Sequence, residues 1–290
     1  MWLKSFVERL KPVDITTFIY LFVTTALMLI FPSELSGLGL HLLLRLLIIA
    51  FVVTLIQYKG ESKLMHFSRD MYPMLLLMFF YPETDFLNNI FFNNLDPWFA
   101  GAEQKLWGCQ PSLVFSQLMP WRWFAELMHF AYFSYYILIF ALMLWIYYKN
   151  RKVFDYAGNI IYTSFYLFYV LFIVIPVAGP QFYYTGAEGS VPQGYVFGSL
   201  MKLIHHFGEG PTAAFPSSHV GIMVVMWWLC YRFAKPLLPY FVAVGIVLIL
   251  STVYLKAHYL IDVLAGFIVA PVFYKVCARI YFRLTGKKEE

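Results

Sequence analysis

Charge is scarce in this sequence. Asp, Glu, Lys and Arg together make up 13% of its 290 residues, against about a quarter in a soluble domain. Cysteine is scarcer still: Cys109, Cys230 and Cys277 lie far apart, without metal-ligand spacing. Neither a disulfide framework nor a zinc site follows from them. No low-complexity run occurs, which removes disordered and collagenous chains. Nor is there a repeat with a period of about 20–50 residues, which removes solenoids and propellers. In place of charge the chain has apolar residues, 61% of the total, and aromatics, 21%. A soluble fold of this size cannot hide so much apolar surface, so the solvent for most of the chain is lipid. The net charge of +5 comes without a basic stripe interleaved with aromatics, so nucleic acid is not the expected partner.

Crossing the hydrocarbon takes about 20 mostly apolar residues in a helix. Runs bounded by Pro, Gly and charge predict spans at Ile15–Phe31, Leu40–Tyr58, Trp123–Tyr148, Ile160–Ala178, His219–Phe233, Leu237–Leu255 and Tyr259–Phe282. An eighth, Leu64–Tyr81, has only a short strictly apolar part, and hydropathy alone does not decide it. Charge does. With a cytoplasmic N-terminus and eight crossings, most of the 21 Lys and Arg residues fall on the cytoplasmic side. Lys105, Arg122, Lys202 and Lys256 fall opposite, and Arg45 lies within a span. This is the asymmetry of the positive-inside rule. We therefore expect an all-α membrane bundle of about eight spans with both termini cytoplasmic. The polar stretch Lys4–Asp14 leads straight into successive apolar runs, and no cleavable signal is expected. The loops Pro82–Arg122 and Gly179–Ser218 then share the extracytoplasmic face. The first contains Phe86–Phe92 and Leu106–Met119, which are expected as interfacial helices.

Two histidines stand in informative surroundings. One closes Pro216-Ser217-Ser218-His219, at the start of an apolar run; the other lies in Ser251-Thr252-Val253-Tyr254-Leu255-Lys256-Ala257-His258-Tyr259-Leu260-Ile261-Asp262. Two antiparallel crossings separate them, so His219 and His258 return to the same interface. Asp262 follows His258 by four residues, which is one face of a helix. An imidazole can attack phosphorus directly, and a carboxylate bonded to its other nitrogen fixes the tautomer and stabilises the developing cation. A second histidine can protonate the departing oxygen. Ser217, Ser218 and the amides of a helix start are suited to an anion.

Together these stretches resemble the last two signature motifs of the type 2 phosphatidic acid phosphatase superfamily. The resemblance implies a six-helix membrane core over roughly residues 123–282. It also implies that His258 forms a phosphohistidine, that Asp262 supports it, and that His219 is the acid. The chain departs from the phosphatase branch in having Thr252 where that branch has arginine, and Ser218 where it has glycine. The branch's earlier Lys-x6-Arg-Pro motif is matched only by Lys4-x6-Lys11-Pro12, on the wrong side of the membrane. A site short of fixed cations suits a singly charged phosphodiester better than a phosphate monoester. In this the chain is similar to the inositol phosphorylceramide synthase and sphingomyelin synthase branch. Leu95-Asp96-Pro97-Trp98 and Leu106-Trp107-Gly108 also resemble the inositol phosphorylceramide synthase side.

Other polar residues have two readings each. Lys256 either clamps a phosphate or snorkels to lipid phosphates, and Lys202 likewise. His205 and His206 read as loop residues or headgroup contacts. Glu126 and His129 read as a structural pair, alone or with Arg122. Arg45 and His41 are either buried against the bundle or snorkelling. We divide the chain into 1–122, N-terminal spans and an extracytoplasmic interfacial loop, and 123–290, the catalytic core, as one integral membrane unit. The expected activity is transfer of a phospho-headgroup from a phospholipid donor to a lipid-alcohol acceptor, with water as acceptor in a phosphatase reading. Neither metal nor organic cofactor is expected. A proton-coupled transporter using His219, His258 and Asp262 is the competing class, but all three lie at one face and no inverted repeats are visible. Short loops favour a bacterial inner membrane; the oligomeric state is left open.

Overall fold

The computed structural model describes residues 6–187, 190–208 and 210–287, and they form helices and connections with no strand among them. In chain order the α-helices of eight residues or more are α1 (Pro12–Ile30), α2 (Leu38–Gln57), α3 (Lys63–Leu87), α4 (Asp96–Trp107), α5 (Pro111–Leu118), α6 (Arg122–Lys149), α7 (Phe154–Val174), α8 (Phe197–Gly208), α9 (Ser218–Phe233), α10 (Leu238–Tyr254) and α11 (Leu260–Thr285). Six of them, α1, α2, α6, α7, α10 and α11, are long and apolar enough to cross a membrane. With lipid-facing residues such as Phe22, Leu46, Met78 and Ile268 more than half exposed, the chain is an integral membrane protein. The α7 helix sits at the centre, buried on nearly every side.

The expected count of about eight needs qualification, because α3 and α9 fall outside those six. The α9 helix is 16 residues long, about 24 Å at 1.5 Å per residue. The α3 helix has the length, 25 residues, but carries Lys63, Arg69, Asp70, Glu83 and Asp85. It continues through Pro73 and Pro82 and ends well past the predicted Tyr81. Both helices nevertheless run the length of the bundle. The α3 helix begins beside Asp14 and Lys11 and ends with Asn88 donating to the Pro211 carbonyl. The α9 helix begins beside α11, where the Ser217 amide donates to the Asp262 carbonyl, and reverses through Lys235–Leu237 into α10.

One end of the bundle gathers the basic segments. Lys11 bridges Asp70 at 2.5 Å and Asp155 at 2.8 Å, Arg151 meets Asp70, and Arg69 grips Asp14 with both nitrogens. The Tyr72 hydroxyl donates to Asp14 as well, at 2.6 Å. Arg232 reaches the Tyr274 hydroxyl at the same end. Lys4 and Lys288 lie outside the described residues. Nearer the opposite end, Arg45 is buried rather than snorkelling. Its guanidinium donates to Thr24, Thr25 and the Leu21 carbonyl, and to Glu83 at 2.8 Å. His41 stacks on Phe86 with its Nδ1 3.7 Å from Glu83.

The stretch 82–122 is folded differently from the expectation. Phe86 and Leu87 end α3, a turn follows, and 106–119 splits between α4 and α5 at the left-handed Gly108. A tight reversal there needs positive φ, which glycine adopts without steric cost. Glu126 and Arg122 do not pair with each other. The Glu126 carboxylate accepts the amides of Tyr195, Val196 and Phe197 at the start of α8, while Arg122 Nε donates to the Gly194 carbonyl. His205 and His206 lie on α8, not in a loop, and their side chains are outside the described residues.

Candidate active site

The two motifs meet where α9 and α11 begin. Ser217 caps α9 by accepting the Val220 amide, and Asp262 caps α11 by accepting the Tyr259 amide at 2.7 Å. Each satisfies an amide that a helix start leaves without a partner. The starts lie close because Gly266 lacks a side chain: a Cβ there would be 2.7 Å from the Ser217 carbonyl oxygen. Between α10 and α11 the chain turns through Lys256, at φ 64°, a left-handed conformation costly for a residue with a Cβ. The His258 amide then returns to the Thr252 carbonyl.

This turn places the imidazoles against each other. His219 Nδ1 lies 3.2 Å from His258 Nε2. His258 is 2% exposed, and its Nδ1 lies 2.7 Å from the Ala214 carbonyl oxygen. A carbonyl only accepts, so Nδ1 carries the proton and the neutral ring presents its Nε2 lone pair to His219. Burial pushes the His258 pKa down to about 4, against a smaller upward effect from the Ala214 bond. The ring is therefore neutral over the ordinary pH range. His219 is only partly enclosed, with the Tyr132 and Tyr135 rings 4.6 and 4.4 Å away.

The carboxylate is placed less directly than the sequence suggests. Asp262 Oδ2 is 3.6 Å from His258 Nδ1, beyond a hydrogen bond, and its near partner is the Tyr259 amide. The closest acceptor for His258 is a backbone carbonyl. Asp262 remains a fully buried carboxylate within a short distance of that ring.

Of the other predicted contacts, Lys256 does not snorkel. It is 0% exposed, and its ammonium donates to Ser116 on α5 at 2.9 Å. Burial pushes its pKa down to about 8. Thr252 is fully buried, with its hydroxyl turned back to the Ile249 carbonyl. Ser218 is buried, and its carbonyl accepts from Tyr135. Lys202 is exposed on α8, whose Met201 packs with Tyr254, Leu255 and Ala257 beside the turn. Among the described residues no group of three or more His, Cys, Asp or Glu is arranged to hold a metal ion.

Three contacts at this end had no warning in the reading of motifs. Asp96 and Glu103 of α4 and Ser116 of α5 all bind the turn that carries His258 or its flanks. Asp96 stood in a segment singled out only by resemblance, and Glu103 and Ser116 carried no signal.

No curated protein and no solved structure matches the chain. Residues 97–276 match the PAP2 superfamily, a group of phosphatase and phosphotransferase-type enzymes. That stretch is well over half the chain and holds both histidines and Asp262 in the enclosed cluster, so the chain belongs to the PAP2 superfamily.

Proposed function

We propose that the protein is a lipid phosphotransferase, moving a phospho-headgroup from a glycerophospholipid to a lipid alcohol through a phosphohistidine on His258. The observation that carries this reading is the imidazole pair: a buried ring with Nδ1 committed to a carbonyl, and Nε2 facing a second histidine at 3.2 Å. In the first half, the Nε2 lone pair attacks phosphorus and the bond to the diacylglycerol oxygen breaks. His219 gives that oxygen a proton. The modified ring is cationic while Nδ1 keeps its proton, and the nearby Asp262 carboxylate favours that charge. In the second half, His219 takes the proton of the acceptor hydroxyl. The acceptor oxygen attacks phosphorus and the N–P bond breaks, restoring neutral His258.

The transferase reading over the phosphatase reading rests on charge. Thr252 replaces a cation and its hydroxyl is already bonded, which leaves Lys256 as the one enclosed cation among the described residues of the turn. A single ammonium balances a phosphodiester's single charge. We read Ser217, Ser218 and Lys256 as the phosphate contacts, and Lys202, exposed nearby, as a headgroup contact. The site lies at the end of the bundle away from the basic segments, so we place it on the extracytoplasmic face. A bacterial inner membrane remains our reading of the setting.

The test is turnover by purified protein, using radiolabelled phosphatidylinositol or phosphatidic acid, each with and without ceramide, beside His258→Ala. Label appearing on ceramide, and absent with the variant, is the expected result. Free phosphate from phosphatidic acid as the main product would make water the acceptor and overturn the charge argument.

A further inference from the structure

Helix α4 is too short and too polar to cross the membrane, yet two of its acidic residues are 0% exposed. Asp96 and Glu103 are seven residues apart, two turns, and so share one face. Burying two carboxylates is costly unless hydrogen bonds compensate. Here the bonds run to the backbone around His258. Glu103 Oε1 accepts the amides of Leu260, at 2.5 Å, and Ile261, at 3.3 Å. These begin the helix that carries Asp262.

Asp96 acts mainly through a different segment, 177–179. Its Oδ2 accepts the Ala178 amide at 2.7 Å, and its Oδ1 accepts the Gly179 amide at 2.8 Å and the Tyr259 hydroxyl at 2.9 Å. The neighbouring Val177 carbonyl accepts the Ala214 amide at 3.0 Å. Ala214 is the residue whose own carbonyl holds His258 Nδ1. A continuous run of bonds therefore leads from Asp96 through 177–179 to the group that sets the His258 tautomer. Gly179 permits the approach, at φ 96° and with its α-carbon so close that a Cβ would lie 2.6 Å from the Ala257 carbonyl oxygen.

We propose that Asp96 and Glu103 are positioning residues for His258, Asp96 by holding the Ala214 carbonyl that fixes its tautomer and Glu103 by holding the first turn of α11. Neither touches the reacting atoms. The inference rests on the reading of His258 as nucleophile for its kinetic consequence, but not for its geometry.

The two acids make different demands on a substitution. Only one oxygen of Glu103 is bonded, so Glu103→Gln retains both amide contacts through its carbonyl, whereas Glu103→Ala loses them. Asp96 uses both oxygens, so Asp96→Asn sets an NH2 group against an amide donor. In the phosphotransfer assay, Glu103→Ala and Asp96→Asn should lower kcat by about 100-fold with KM little changed, the size of loss that follows a small misplacement of a reacting group. Glu103→Gln should remain within about 3-fold of the parent. A second readout needs no substrate: the rate at which diethyl pyrocarbonate modifies His258, followed by peptide mass spectrometry against exposed His66 in the same sample. That rate should change in Glu103→Ala and Asp96→Asn and stay near the parent's in Glu103→Gln. Parent-like kcat and parent-like His258 reactivity in both damaging variants would overturn the proposal. So would a Glu103→Gln variant as impaired as Glu103→Ala. If the parent protein transferred no lipid, the phosphotransferase reading would fail, while the His258 reactivities would still decide the positioning role.

Discussion

Lys256 carries an ammonium in a place that offers it one neutral acceptor, the Ser116 hydroxyl. Its pKa is pushed from 10.5 down to about 8 by burial. The unfolded chain then binds more protons than the folded one between these values, so the group's contribution to stability rises with pH from about 8 upward. Lys256→Met should remove that rise, as read by thermal unfolding in detergent at a series of pH values. In turnover the sign reverses: KM for an anionic lipid should climb as the pH passes about 8, and the methionine variant should show a high KM without that dependence. A second expectation concerns His258. With its pKa near 4, the acid limb of kcat/KM should fall below about pH 5, rather than near the 6.5 of a solvated imidazole. A limb near 6.5 that persists in a slow nucleophile variant would assign it to another group. That His219, His258 and Asp262 come together was legible in the sequence, because two antiparallel crossings and a four-residue spacing return them to one place. The Ala214 carbonyl was not, since any residue supplies one. Glu103 was not either, because it meets Leu260 across 157 positions with no pattern that marks the pairing.

At the scale of elements, the site depends on how closely α9 and α11 approach. A Cβ at Gly266 would meet a backbone oxygen, which cannot rotate away, and would lie 3.0 Å from Val220 Cβ. Gly266→Ala should push the helices apart, costing about 1–3 kcal/mol, and widen the gap between the histidines. We expect a lower Tm together with a fall in kcat larger than the stability loss alone explains at a temperature where the variant is folded. An unchanged kcat in a folded variant would show that the approach has slack. Apolar runs predicted most helices to within a few residues, since lipid makes length and hydropathy the dominant constraint. They fell short at the far end of α3, which runs on to Leu87 where a partner holds it. The start of α3 is anchored through Arg69 and Asp70, and its far end through Glu83 to Arg45. None of those pairings is visible within the α3 segment itself.

Over the whole molecule, charge is sorted to places where it is matched. The Arg45–Glu83 pair joins α2 to α3 with side chains 2% and 8% exposed. Removing one partner of such a pair leaves the other buried alone, at a cost of about 3–5 kcal/mol. Glu83→Leu should therefore lower stability by roughly that amount, and adding Arg45→Met should recover much of it. A double variant as unstable as the single would assign the loss to packing. The other bundle end holds Asp14, Asp70 and Asp155 against Lys11, Arg69 and Arg151, joining α1, α3 and the turn before α7. This arrangement also bears on how the chain enters a membrane. As it leaves the ribosome, α3 is too charged to partition into lipid on its own hydropathy. Its early partners, Asp14 and Arg45, already exist, but Arg151 is synthesised 81 residues after Asp70. Integration is therefore expected to be cooperative, with α3 gaining its full set of counterions only after α6 has been made. A nascent chain stopped short of Arg151 should leave α3 extractable or accessible to water-soluble thiol reagents, and one extended past α7 should not.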